Sequence, residues 1–216
     1  MESQAGSGPS RSLWVSAGVG TLALAGGWAI AAEATQVPSW EEAVTLGING
    51  APDLLRYPLW PVMQLGNFWM VAALPAGLYA VTRSGRAAAA GALATGSAWG
   101  LAKVVKEQVG RGRPADFFDD TVVREAGVTG LGYVSGHAAV AFAAATVVAH
   151  YVPRRWKWVP FSLAAITGLA RIHYGAHFAL DVIGGAGLGI ACGAIALLVV
   201  ARPDRTEVAD SKGADS

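Results

Sequence analysis

The chain has 216 residues, of which 53% are hydrophobic and 14% charged, with a positive mean hydropathy of +0.41. Soluble domains carry about 25% charged residues, so this composition excludes an ordinary soluble domain and points to one integral membrane domain. The net charge of +1 implies no polyanion partner such as nucleic acid, and a lone cysteine, Cys192, excludes an internal disulfide framework or a cysteine-based metal cluster. No glycine-rich nucleotide loop or nucleic-acid motif is present. The richness in Ala and Gly has a bacterial, high-GC character.

In chain order, residues 1–12 are polar, rich in Ser and Gly, and expected to be disordered. Leu13 to Ala32 is about 20 apolar residues, enough to cross a bilayer. A cleaved signal peptide is the competing reading, because Arg11 precedes the run and Ala32-x-Ala34 resembles a cleavage site. The run exceeds the roughly 7–15 residues of a signal core, which favours a retained helix. Glu33 to Tyr57 is polar and acidic. Within it Trp40, Val44, Ile48 and Leu54 form a loose helical stripe, which reads as either a helix lying along the membrane surface or an ordinary loop.

Pro58 to Val81 is a second span containing Gln64 and Asn67, with a kink expected at Pro75. Ala87 to Val105 is a third, weakly apolar and full of Ala and Gly, suited to packing against other helices; Lys103 near its end can snorkel. Residues 106–134 read as a long polar loop. Ser135 to Val152 is a fourth span, Val159 to Ile172 a short fifth, and Ala179 to Ala201 a sixth. In the sixth, Gly185, Gly189 and Gly193 recur every four residues as a helix-contact stripe. Residues 202–216 read as a disordered tail. The expectation is therefore an all-α protein with one six-span domain over 13–201 and an interfacial helix between spans 1 and 2.

Six spans put both termini on one side, with the turns after spans two and four. That side carries Arg11, Arg83, Arg86, Arg154, Arg155, Lys157, Arg202, Arg205 and Lys212, nine of the 16 basic residues, and is cytoplasmic by the positive-inside rule. Trp14, Trp156 and Trp158 suit an inner aromatic belt, and Trp40 and Trp60 an outer one.

Polar residues that fall near the opposite face carry the chemistry. Ionisable groups at a membrane are expensive and functional by default. In Ala170–Asp181, a helix beginning near His177 sets His177 and Asp181 at i and i+4 on one face. The Asp can then hold one imidazole nitrogen while the other attacks an electrophile. Arg171 offers a donor fork suited to phosphate. The alternative is that these residues cap helix ends and pair with one another. Upstream stand Lys106, Arg113 and Pro114, and then Tyr133-Val134-Ser135-Gly136-His137. Three cations on one face match a phosphate dianion, and Ser135 and Gly136 at a helix start present backbone N–H groups to an anion. Arg111 and Asp116 read either as contacts to a second phosphate or as a solvated loop. His173 reads as a tuning group or a satisfied interface histidine, and His150 as structural.

Taken together, Lys106-x6-Arg113-Pro114, Ser135-Gly136-His137 and Arg171-x5-His177-x3-Asp181 resemble the three-part signature of the type 2 phosphatidic acid phosphatase (PAP2) superfamily: K-x6-R-P, P-S-G-H and S-R-x5-H-x3-D. Val134 stands where the family usually has Pro, and Ala170 where it has Ser. The resemblance implies a six-helix membrane phosphatase acting on a lipid phosphate held in the bilayer of a bacterial inner membrane, with its site outside the cytoplasm. His177 would be the nucleophile, His137 the proton donor to the departing oxygen, and Asp181 the holder of His177. Lys106, Arg113, Ser135, Gly136 and Arg171 would bind phosphate, with neither metal nor other cofactor. Phosphotransfer to an acceptor lipid and a non-catalytic binding or transport role are the other readings. A haloperoxidase of related fold is disfavoured by the spans.

Overall fold

The computed structural model describes residues 11–33 and 37–200. The tails beyond these limits, and the Ala34 of the candidate cleavage site, lie outside the described residues. Among those residues every regular element is helical, with no strand: α1 (Arg11–Glu33), α2 (Ser39–Asn49), α3 (Arg56–Met63), α4 (Met70–Thr82), α5 (Gly85–Val109), α6 (Gly136–Tyr151), α7 (Trp158–His173) and α8 (Ala179–Val200). Among them α1 and α8 are each long and apolar enough to cross a membrane, and the bent segment Asp53–Gly66 plus Met70–Thr82 qualifies as a broken third.

α8 is the hub, packing against α1, α5 and α6. Its glycine stripe makes this possible, because small residues let helix backbones approach. A Cβ on Gly185 would lie 2.5 Å from the Ser135 carbonyl, one on Gly193 2.6 Å from the Thr146 side chain, and one on Gly189 would strike the Ala139 carbonyl. The expected stripe therefore faces α6. Gly20 of α1 and Gly187 of α8 meet reciprocally, each blocking a side chain on the other. α5 buries Ala87, Ala90, Gly91, Ala94, Thr95, Ala98, Ala102 and Val105 at helical spacing. Such faces bury little area per residue and gain stability from dense contact.

The second span departs from expectation. Pro75 sits inside the continuous helix α4, and a 75° bend falls earlier, between Gly66 and Met70. Gly66 ends a short 3-10 turn pressed on the backbone of His137, where no side chain fits, and Asn67 donates to Gln64 Oε1 at 2.9 Å. The bend therefore docks the α3–α4 unit on the start of α6.

α2 is a helix, and Trp40 and Val44 of its apolar stripe face outward. The opposite face, Glu41, Thr45 and Asn49 at i, i+4 and i+8, is fully buried against the protein. Asn49 donates to the carbonyls of Val122 (2.9 Å) and His173 (3.0 Å) and accepts from Val122 N–H (2.8 Å). α2 is thus clamped to the bundle by polar contacts.

Candidate active site

The site forms where the C-terminal ends of α5 and α7 meet the N-terminal ends of α6 and α8. α5 continues through Lys106, so this residue lies in the helix's last turn and not in the loop. Gly110, at φ 68°, then takes the left-handed conformation that closes a helix, donating to the Lys106 carbonyl at 2.9 Å. This turn sends Arg111 inward and Arg113 along the rim. At α6, Ser135 is the N-cap: its hydroxyl accepts from Ala138 N–H at 3.4 Å and its own N–H donates to the Asp181 carbonyl at 2.8 Å. Gly136 and His137 follow as the first helical residues.

His177 lies in the connection between α7 and α8 and is buried. Its Nδ1 donates to Asp181 Oδ2 at 3.2 Å, and the same oxygen accepts from Phe178 N–H at 3.0 Å. An ionised carboxylate only accepts, so Nδ1 carries the proton and Nε2 keeps its lone pair. Burial, with the charges of Lys106, Arg171, Arg113 and His137, pushes His177 well below its ordinary 6.5. The imidazole is therefore neutral at neutral pH. Lys106, Arg113, Arg171 and His137 thus lie near enough to His177 to act on its charge.

The three expected cations are held by this connection and the loop before α6. Lys106 Nζ donates to the carbonyls of Leu131 (2.8 Å) and Gly132 (2.7 Å). Arg113 binds the carbonyls of Thr129 and Gly130, both at 3.0 Å, and of Ala176 at 2.6 Å. Arg171, buried at the end of α7, pairs with Glu125 at 2.5 Å. Among the described residues no group of three or more His, Cys, Asp or Glu is placed to hold a metal ion.

Arg111 is neither a second-phosphate contact nor part of a solvated loop. Its side chain is 2% exposed, grips Glu41 with both terminal nitrogens (3.0 and 2.6 Å), reaches Asp181 Oδ1 at 3.3 Å and lies over the Phe178 ring at 4.3 Å. Two buried carboxylates require such a cation. Asp116 is exposed, in keeping with a solvated loop, and accepts from Arg113 N–H at 2.7 Å to close a 3-10 turn. His173 is an interface histidine satisfied on one side: Nδ1 meets the Ile48 carbonyl at 3.2 Å, while buried Nε2 has no hydrogen-bond partner. His150 is exposed and stacks edge-on with Tyr151.

Sequence reasoning missed Glu41 and Glu125. Glu41 completes a buried chain, Glu41–Arg111–Asp181–His177, and also accepts from Leu180 N–H at 2.9 Å. Its signal was present as the polar i, i+4, i+8 face of α2. Glu125 has no local signal, since its partner lies 46 residues away.

Residues 87–205, more than half of the chain, match the profile of the PAP2 superfamily. The chain belongs to the PAP2 superfamily. The crystal structure of Aquifex aeolicus LpxE is similar at 28% identity and a TM-score of 0.69, over 76% of this chain and 98% of that one. The Bacillus subtilis transmembrane PAP2 phosphatidylglycerolphosphate phosphatase is similar in fold at 21% identity and a TM-score of 0.63, over 93% and 95%. No curated protein matches the chain. With the apolar helices, this makes it a PAP2 membrane protein. Both departures from the PAP2 pattern are buried: Val134 joins the main core, and Ala170 packs with Met63 and Tyr174. Neither removes an ionisable group.

Proposed function

We propose that the chain is a lipid phosphatase that cleaves a phosphate monoester or pyrophosphate of a lipid through a phosphohistidine, without a metal. The observation that carries this reading is the His177–Asp181 pair set among Lys106, Arg113 and Arg171. In this reading His177 Nε2 attacks phosphorus and the bond to the lipid oxygen breaks. His137, protonated once the bound phosphate offsets the charges of Arg171, Lys106 and Arg113, gives that oxygen a proton, and Asp181 holds Nδ1–H and stabilises the imidazolium. The three cations, with the N–H group of Gly136 and the hydroxyl proton of Ser135, whose own N–H is spent on the Asp181 carbonyl, meet charge on the phosphoryl oxygens. Water, deprotonated by His137, then releases phosphate and restores His177.

In the same reading the chain crosses the membrane six times, through α1, the bent α3–α4 unit, α5, α6, α7 and α8. The termini lie in the cytoplasm and the site at the outer face of a bacterial inner membrane. α6 and α7, 16 residues each, are about 24 Å long at ~1.5 Å per residue. Both are shorter than a ~30 Å hydrocarbon layer, which sets the site at their outer ends slightly inside the headgroup boundary. A polyprenyl carrier lipid of envelope synthesis suits an outward-facing site, and the name of the B. subtilis neighbour makes a diacyl phosphate the comparison to run.

The test is phosphate release by the detergent-purified protein in EDTA, across polyprenyl and diacyl phosphates, beside His177→Ala. Release that disappears in the variant supports the reading. Release unchanged in the variant, or none from any lipid, overturns it, and a phosphorylated acceptor lipid in place of free phosphate would make the protein a transferase.

A further inference from the structure

Arg171 sits in the phosphate cradle with a carboxylate already on it. Its Nη1 meets Glu125 Oε2 at 2.5 Å and Met63 Sδ at 3.3 Å, and its buried Nε has no hydrogen-bond partner. A thioether is a weak acceptor, so Glu125 is the strong one on this fork. Arg171 is 6% exposed in its side chain, whereas Glu125 is 36% exposed, at the edge of the protein. The charge of Arg171 also bears on Arg113 and Lys106, so the cradle is electropositive and Glu125 supplies an anion to it.

The far side of Glu125 is open. It lines a cavity of about 370 Å³ with Arg56, Tyr57, Trp60, Arg124 and Tyr174. Arg124 is committed, to Asp53 at 2.6 Å and the His173 carbonyl. Arg56 is not: it is 43% exposed, touches the hydroxyl of its neighbour Tyr57 and approaches Asp53 only to 3.9 Å. The cavity gives a displaced carboxylate both space and a cation.

We propose that Glu125 is a displaceable stand-in for the substrate phosphate: it occupies Arg171 in the empty site, swings towards Arg56 when a phosphate enters, and so sets phosphate affinity. Carboxylate and phosphate compete for the same planar fork. The proposal rests on the reading that Arg171 binds phosphate. It deepens that reading by naming a residue outside the three motifs that controls the step.

The consequence runs against the usual effect of breaking an ion pair. Glu125→Gln keeps the shape of a partly exposed side chain and removes the competing charge. Inorganic phosphate binding to the detergent-solubilised protein, measured by titration calorimetry, should then tighten about tenfold, the size of one charge-assisted hydrogen bond. Arg56→Ala should weaken it several-fold, because the displaced carboxylate loses its destination. If Glu125 merely props Arg171 in place, Glu125→Gln weakens binding, and that result, or an unchanged affinity, overturns the proposal. Equal phosphate affinity in wild type and Arg171→Gln would instead overturn the phosphatase reading, and the proposal with it.

Discussion

Removing Arg111 should destabilise this protein more than removing any of the exposed cations. Its guanidinium is 2% exposed and stands between Glu41 and Asp181, both 0% exposed. Arg111→Met preserves much of the stem's packing against Phe178 but strands two carboxylates that then repel each other. Deleting one partner of a buried pair costs about 3–5 kcal/mol, because the remaining charge is left without compensation. For a protein of this size that lowers the melting midpoint by roughly 6–20 °C. Tryptophan fluorescence of the detergent-solubilised protein reads it directly, with eight Trp in the chain. The double variant Glu41→Gln/Arg111→Met strands one carboxylate in place of two, so it should recover part of the loss. A single variant melting within about 2 °C of wild type, or a double variant no more stable than the single, would refute the argument that charge balance holds this chain of residues together.

Gly185→Ala should cost about 1–3 kcal/mol and reduce turnover, since the new methyl meets the Ser135 carbonyl and Ala138 and displaces the start of α6 that carries His137. Gly26→Ala, where nothing lies within 4 Å, should be neutral or raise stability by up to about 1 kcal/mol in the same thermal assay. His177 titrates below 6.5 in the folded protein, through burial and then the surrounding cations. Between that value and 6.5 the unfolded chain binds a proton that the folded chain refuses, so stability should fall as pH drops below about 6.5. The acid limb of kcat/KM should move up towards 6.5 in Lys106→Met; a limb that stays put would remove Lys106 from the cation set acting on His177.

The parts of this account readable from the chain are those with short-range logic. The i, i+4 spacing of His177 and Asp181 and the recurrence of Gly185, Gly189 and Gly193 are properties of one helix at a time. The helix order α5, α6, α7, α8 brings Lys106, His137, Arg171 and His177 to one end of the bundle. What stayed hidden depends on pairs distant in sequence. Arg111 reads as a second-phosphate contact or a solvated residue because its partners, Glu41 and Asp181, each lie 70 residues away. The apolar stripe of α2 leaves a surface helix or a loop open, and the polar face opposite, Glu41, Thr45 and Asn49, finds its partners in distant segments. The bend after Gly66 comes from contact with His137, which local composition cannot report, whereas Pro75, the local signal for a kink, lies within a continuous helix.

The central claim is that His177 carries the phosphoryl group. Rapid-quench labelling with a lipid phosphate radioactive at phosphorus, followed by peptide mapping, tests it most directly. An alkali-stable, acid-labile label is expected on the peptide containing His177, formed within a single turnover and absent from His177→Ala. Turnover of wild type with no label at His177 on that timescale, or a label that persists in the variant, would contradict it.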